Sequence, residues 1–408
     1  MASTRREFLF HGVQIAAVTA VAPWALSRRA FASTDDGGAR VLVVIELAGG
    51  NDGLNTVIPW RDERYHRARP TLAAAAAGAH DIGADLALHP SLPRCAGLLA
   101  AGELAIVQGV GYPQPDRSHF RSSDIWQTAL APDVHEDVGD VDRRTATGWL
   151  GRACSQLARR GEAAPLGVHV GDGPPPLSLT DAGAPGAAIG GDLTDRRREL
   201  PPAAAAARDA LSAQHDGDRG ELAFLRATAR DGLELERRLE GAARVQPSAD
   251  WPGTDLARKL RTIAVLVASG FPARVYTLRL GGFDTHADQA PVQASLLGEL
   301  DGALGAFRDE LAAREALGRV TTLVYSEFGR RVAENGTRGT DHGAAAPVFL
   351  LGGAVRGGLH GERPDLAHLE DGDVRHSTDF RSVYATLERD WLGVHPTSKR
   401  APLDLLRG

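Results

Sequence analysis

Val41-Leu42-Val43-Val44-Ile45-Glu46-Leu47, followed at once by Ala48-Gly49-Gly50-Asn51-Asp52-Gly53, is the stretch on which the fold turns. A short aliphatic and β-branched run with almost no polar alternation is the signature of a strand buried on both faces of a parallel sheet. The glycines behind it let the backbone turn sharply and approach a ligand closely. Comparable runs predict strands at Glu103–Gly109, Leu166–Val170, Ala273–Leu280, Val320–Tyr325 and Pro347–Leu351. Helical periodicity occupies Leu222–Leu239, Asp255–Ala268, Val292–Glu315 and Phe380–Leu392. This alternation predicts an α/β fold: a doubly wound, mostly parallel sheet flanked by helices, with Val41–Leu47 at its centre.

In such a sheet the carboxyl ends of the strands share one rim, where residues distant in sequence converge. Four motifs fall there: Gly49-Gly50-Asn51-Asp52, Phe283-Asp284-Thr285-His286, Ser326-Glu327-Phe328-Gly329-Arg330 and Thr340-Asp341-His342-Gly343. Carboxylates and imidazoles gathered on a rim are the ligand types of a divalent cation. Asp52 is a candidate ligand, although Asn51 and Asp52 also suit a simple capped turn. Asp284 and His286, two residues apart in an extended segment, share a face and can reach one ion. Glu327 can ligate, and Arg330 can clamp an oxyanion through its planar fork, the alternative being a surface ion pair. Asp341 and His342 complete the set, with His342 the foremost candidate. Ser118, in Arg117-Ser118-His119-Phe120, precedes the helical pattern Phe120–Leu130. A hydroxyl there can serve as a nucleophile assisted by His119, or simply cap the helix.

Composition narrows the classes. Over 408 residues the formal charge is −6, and no basic cluster of the kind nucleic-acid binding requires follows the N-terminal segment. The Gly-Gly-Asn-Asp-Gly turn lacks the features of a phosphate-binding or dinucleotide loop. Thr4-Arg5-Arg6-Glu7-Phe8-Leu9, the apolar run Val13–Leu26 and Ala30-Phe31-Ala32 read as a twin-arginine signal peptide over residues 1–32. This implies passage through the twin-arginine translocase, a periplasmic or secreted product and no stable membrane span in the mature chain. Residues 33–408 then form one domain, with an Ala- and Pro-rich excursion from Asp181 to Ala206 opening a helical insertion over about 181–260. The acidic segment Asp133–Asp142 reads as a solvated loop, with a weak Ca²⁺ site as the alternative. Cys95 and Cys154 are equally compatible with a disulfide and with two buried thiols.

Taken together, Gly-Gly-Asn-Asp-Gly-Leu-Asn, Arg-Ser-His-Phe, Phe-Asp-Thr-His, Ser-Glu-Phe-Gly-Arg, Asp-His-Gly and the late Ser377-Thr378-Asp379-Phe380-Arg381 closely resemble an exported bacterial family, the "domain of unknown function fifteen-oh-one" family, from about Arg40 to Val394. The resemblance implies an alkaline-phosphatase-like fold, related to sulfatases and cofactor-independent phosphoglycerate mutases. By its pattern Asp52 would be the first-strand acid, Ser118 the nucleophile, Asp284 and His286 a ligand pair, Glu327 the strand-end acid and His342 the late histidine. The sequence departs where Phe328 replaces a histidine and where Asp284 and His286 stand unusually close, which puts a second metal position in question.

The expected function is therefore an exported hydrolase of small-molecule or polymeric phosphate or sulfate esters, using one or two divalent ions (Zn, Mn or Ca). Phe328 motivates the alternative of a catalytically degenerate scaffold that binds an exported partner or surface polymer. A third reading is a structural Ca²⁺ site.

Overall fold

The computed structural model describes residues 38–131, 141–143, 145–184, 186–191, 206, 233, 235 and 237–407. The expected leader, most of the acidic segment Asp133–Asp142, the part of the excursion beyond 191 and most of the pattern Leu222–Leu239 lie outside these residues.

The central strand β1 (Val41–Leu47) forms where the sequence places it, together with eleven further strands among the described residues: β2 (Val57–Ile58), β3 (His80–Gly83), β4 (Leu86–Leu88), β5 (Leu104–Gly111), β6 (Gly167–Val170), β7 (Ala187–Ile189), β8 (Val275–Leu280), β9 (Val320–Tyr325), β10 (Ala346–Leu351), β11 (Gly358–His360) and β12 (Thr378–Asp379). The main sheet runs β11-β5-β10-β9-β1-β8-β6-β7, with β12 also paired to β5, while β2, β4 and β3 make a small separate sheet that the sequence reading did not foresee. Strand β1 pairs in parallel with β8 and β9, for example Ile45 opposite Leu278 and Val324.

Alternate residues of β1 feed two cores. Val41, Val43 and Ile45 pack towards helices Asp255–Ala268 and Gln289–Ala313, among Leu260, Ile263, Leu300 and Leu304. Leu42 and Val44 face the opposite layer of helices His119–Thr128, Trp149–Arg159 and Phe380–Thr386, with Trp126, Trp149 and Tyr384. This two-sided burial is why the strand reads as a continuous apolar run. Cys95 and Cys154 are both buried free thiols, one in each core, so the sheet stands between them.

One strand departs from the parallel arrangement. β10 is antiparallel to both β5 and β9. The start of β10 therefore lies at the rim where β1, β5, β8 and β9 end. An all-parallel sheet would have sent the residues preceding β10 to the far side; reversal returns Asp341 and His342 to the other motifs.

The terminal helix, expected as one element over Phe380–Leu392, is α-helical over Phe380–Thr386 and widens to a π turn at Leu387–Trp391. Within that turn Glu388 is fully buried, accepting from the Thr397 amide at 2.9 Å and the Thr397 hydroxyl at 2.6 Å. Burial pushes its carboxyl up to about 7, against the opposing pull of the Thr397 hydrogen bonds and Arg152. A raised folded-state pKa stabilises the protein fully below the ordinary carboxyl range, and that contribution is lost as pH rises through about 7. Glu388→Gln, neutral at every pH, is expected to gain stability relative to wild type by on the order of 2 kcal/mol between about pH 5 and about pH 8. Denaturant titrations across that window check this; a pH-independent difference between the two proteins would refute it.

Candidate metal centre

Four strand ends, those of β1, β5, β8 and β9, and the turn before β10 build the site. Gly49 and Gly50 follow β1 with φ of +116° and +75°, a backbone suited to glycine. A side chain on Gly49 would collide with the Asp284 amide, and one on Gly50 with the Phe328 ring. Absence of a Cβ thus brings the β1 turn into contact with the loops after β8 and β9. Strand β5 leads through Tyr112 to the helix His119–Thr128, pinned to the β9 end by Ser122, whose hydroxyl donates to the Glu327 carbonyl and lies 3.0 Å from the Tyr112 hydroxyl.

Three imidazoles meet one carboxylate. His119, Asp284 and His342 offer donor atoms all within 4.8 Å of one another. His342 Nε2 and His286 Nε2 each lie 3.0 Å from Asp284 Oδ1, and 3.0 Å from each other. His119 Nε2 is buried without a hydrogen-bond partner, 3.4 Å from the same oxygen.

The far nitrogen of each ring is anchored. His119 Nδ1 meets Glu327 Oε1 at 2.9 Å, His286 Nδ1 meets Asp341 Oδ1 at 3.1 Å, and His342 Nδ1 meets the Arg117 carbonyl at 2.7 Å. These partners accept only, when the carboxylates are ionised, so each neutral ring must carry its proton on Nδ1. Three Nε2 lone pairs and a carboxylate oxygen consequently converge on one another. Arg330 relieves part of that arrangement, with Nη2 2.8 Å from Asp284 Oδ1 and Nη1 3.5 Å from His286 Nε2; a bound cation or added protons would relieve the rest, and acceptor-anchored Nδ1–H groups behind Nε2 donors are the usual support of a metal-bound histidine.

Charge states agree with this geometry. Burial alone would raise the Glu327 carboxyl, but the His119 hydrogen bond and the Gly49 and Gly50 amides outweigh it and keep it low. The Glu327 hydrogen bond raises the His119 pKa above its ordinary value, partly offset by burial. Asp284 is held well below the carboxylate range: partial burial acts upward, and the hydrogen bond and charge of Arg330 outweigh it. For Asp341 the His286 hydrogen bond, then that of Asn335, lowers the value.

The other expected site residues occupy different places. Asp52 is turned into a buried polar network: its Oδ2 accepts from Arg69 Nη1 at 2.6 Å and from Gln289 Nε2 at 2.5 Å, and Gln293 binds its carbonyl at 3.0 Å. Glu327 and Asp341 stand behind histidines instead of beside Asp284. Arg330 departs from the expected oxyanion clamp because its guanidinium is fully buried and engaged: Nε donates to Gly50 O at 2.7 Å, Nη1 to Thr340 O at 2.8 Å, and Nη2 to Gly49 O, to Phe283 O at 2.9 Å and to Asp284 Oδ1 at 2.8 Å. Ser118 is an exposed helix N-cap residue whose side chain makes no cap hydrogen bond. Its amide donates to Asp116 Oδ1 at 2.7 Å. His119, expected to assist that serine, instead joins the converging donors. Phe328 is buried against the rings of His119 and His342, with centroids at 4.9 and 4.7 Å.

Sequence reasoning missed Arg69, Gln289 and Gln293. Arg69 is fully buried and also donates to the carbonyls of Val332 at 2.8 Å and Arg331 at 2.7 Å, stapling the loop after Arg330 to the β1 turn. The only available signal was the spacing of Gln289 and Gln293, one helical turn apart. Removing one partner of a buried ion pair leaves the other charge uncompensated. Arg69→Ala is therefore expected to cost about 3–5 kcal/mol of folding stability. Urea unfolding measures it, and a loss typical of a surface residue would show that the Asp52 carboxylate is compensated in another way.

The fold can be set beside solved structures at low sequence identity. The chain is similar to the zinc complex of the C-terminal periplasmic domain of EcEptC from Escherichia coli, with 10% identity, a TM-score of 0.38 and coverage of 78% of this chain and 74% of that one. It is similar to an alkaline phosphatase superfamily protein from Vibrio parahaemolyticus, with 10% identity, a TM-score of 0.41 and coverage of 94% and 75%. It is also similar to the PsFucS1 sulfatase from a Pseudoalteromonas species, with 11% identity, a TM-score of 0.38 and coverage of 90% and 71%. No curated protein matches the sequence. A family model described as "Protein of unknown function (DUF1501)" matches residues 39–390, and the chain belongs to that family.

Proposed function

We propose that this protein is an exported, metal-dependent hydrolase of phosphate or sulfate esters, with a single ion held by His119, Asp284 and His342 and flanked by His286. The observation that carries the reading is the convergence of three Nδ1-anchored imidazoles on one carboxylate oxygen. Nitrogen-rich donor sets favour Zn²⁺, whereas Ca²⁺ takes six to eight oxygens. When bound, the ion would act as a Lewis acid towards the ester and lower the pKa of a coordinated water or hydroxyl.

The chain's own residues supply orientation. Glu327, Asp341 and the Arg117 carbonyl fix the ring directions, and Arg330 fixes Asp284. Buried Phe328 occupies the place where a second polar group would be needed, which supports one ion over two. Ser118, between the Arg117 carbonyl and His119, is the proposed nucleophile; its hydroxyl is exposed and unspent on capping. The Arg-Arg motif and apolar run at the N-terminus support export, and no helix among the described residues is long and apolar enough to cross a membrane.

A second reading has one observation in its favour. His286 Nε2 lies 3.0 Å from both Asp284 Oδ1 and His342 Nε2, so a fourth protein donor stands beside the other three, and a closed four-ligand shell is typical of structural zinc. The protein would then be a degenerate scaffold for an exported partner or surface polymer. Ser118→Ala separates the two: a hydrolase loses turnover while keeping its metal, and a scaffold keeps its binding phenotype.

Elemental analysis of the purified mature protein is expected to find about one equivalent of zinc, lost in the Asp284→Asn, His342→Ala double variant. A metal-free wild type that takes up none on zinc addition would overturn the metal reading. Glu327→Gln, which removes the charge behind His119, is expected to weaken zinc binding about 10–100-fold in competition with a chromogenic chelator. Unchanged affinity would mean that His119 is not a ligand.

A further inference from the structure

Strand β5 turns one row of side chains towards helices Asp255–Ala268 and Gln289–Ala313: Leu104 and Ile106 lie in that core, and Gln108 is next in the alternation. A carboxamide stands where the pattern calls for an aliphatic group. The ladder breaks at the same point. Ala346 pairs with Val110 and Val348 with Val107, so Gln108 and Gly109 together oppose Pro347 alone, a β-bulge in which Gly109 takes a φ of +59°. Pro347 has no N–H to give to the ladder, and a side chain on Gly109 would collide with the Ser377 hydroxyl.

Beside the bulge lies a cleft between β5, the start of β10, helix Gly53–Thr56 and the loop residues Pro364 and Val374. Leu54, Val57, Pro347, Pro364 and Val374 make its apolar walls, and Gln108 and Arg330 are the polar side chains among them. Pro347 and Pro364 are half-buried and mark the open side. With that mouth included the space is about 350 Å³, the low end for ligand pockets. Arg330 brings no free charge, because Gly49, Gly50, Phe283, Thr340 and Asp284 engage all three of its nitrogens. Gln108 is 4% exposed, and its Oε1 is buried with no hydrogen-bond partner. An amide oxygen buried in this way is destabilising, and a bulge re-aims a side chain most often next to a functional site.

The geometry points to a binding site for a small uncharged molecule with a short aliphatic body and one hydroxyl, an aliphatic alcohol. The hydroxyl donates to Gln108 Oε1 and supplies the missing hydrogen bond, while the body displaces water from the apolar walls. An ionic ligand is excluded, since no lining group is free to pair a charge stripped of its water. Water is a poorer occupant: it needs two to four polar partners, and only Gln108 among the lining side chains has hydrogen-bonding capacity to spare. Arg330 borders this cleft and also holds Asp284, but occupancy of the cleft requires no metal.

The test uses the mature protein without added metal, followed by NMR of the Leu54, Val57 and Val374 methyl groups. Two probes of similar shape are titrated: isobutanol, and isobutyl methyl ether, which cannot donate. Isobutanol is expected to shift these methyls saturably with a roughly millimolar Kd, as its few heavy atoms allow. It should bind about fivefold more tightly than the ether, the worth of one neutral hydrogen bond. Gln108→Leu, close in shape and without a polar atom, should bind both probes alike. Pro364→Trp changes only a half-buried loop residue at the mouth and should bind neither, which keeps the test decisive if the Gln108 variant fails to fold. Equal affinity of the wild type for the two probes, an alcohol preference that survives Gln108→Leu, or no saturable shift at these methyls overturns the inference. Unchanged binding in Pro364→Trp places the probe elsewhere and overturns it as well.

Discussion

Everything at the rim depends on one buried guanidinium. Arg330 extends from the end of β9 into a space bordered by the β1 turn, the β8 loop and the turn before β10, and satisfies carbonyls of Gly49, Gly50, Phe283 and Thr340 while holding Asp284. The Phe283 carbonyl also accepts from the Thr285 amide at 2.8 Å, but those of Gly49, Gly50 and Thr340 rely on Arg330, and a loop carbonyl buried without a donor costs about 1–3 kcal/mol. A lysine could not replace it, because its single ammonium cannot spread directed donors over loops that approach from different sides. Arg69 repeats the device one layer deeper, joining the β1 turn to the loop after Arg330 through carbonyls and Asp52. The converging imidazoles are thus mounted on loops that two arginines lock together.

Much of this frame was legible. The strand limits of β1 and β9 and the limits of helix Asp255–Ala268 coincide with the observed elements, because two-sided burial and helical periodicity leave clear marks in sequence. The direction of β10 was not legible, since an apolar run reads alike both ways and its orientation depends on the route of the chain before it. That single reversal explains how a motif preceding a strand can face motifs that follow strands.

The site was legible by residue type and not by role. Asp284, His286 and His342 were found through paired acids and histidines, and the structure draws them together. Which carboxylate faces the convergence and which stands behind a ring is set by side-chain direction across contacts between residues as distant as His119 and Glu327. No local pattern reports this. Asp52 shows the same limit in reverse: an acid at a glycine-rich strand end is a reasonable ligand until a buried arginine from a neighbouring helix start claims it. Phe328 carried a real signal, since an apolar ring placed against two imidazoles leaves one side of the site without donors.

The two free cysteines bear on handling. Cys95 and Cys154 lie in separate cores with the sheet between them, and burial pushes both thiols upward, Cys154 to about 12. Neither is available for exchange, because thiolate is the reactive species and water does not reach either sulfur. The folded chain therefore has no redox state to preserve. It can be prepared without thiol reductants, themselves strong zinc ligands, so a metal count taken on such material reports the protein's own affinity.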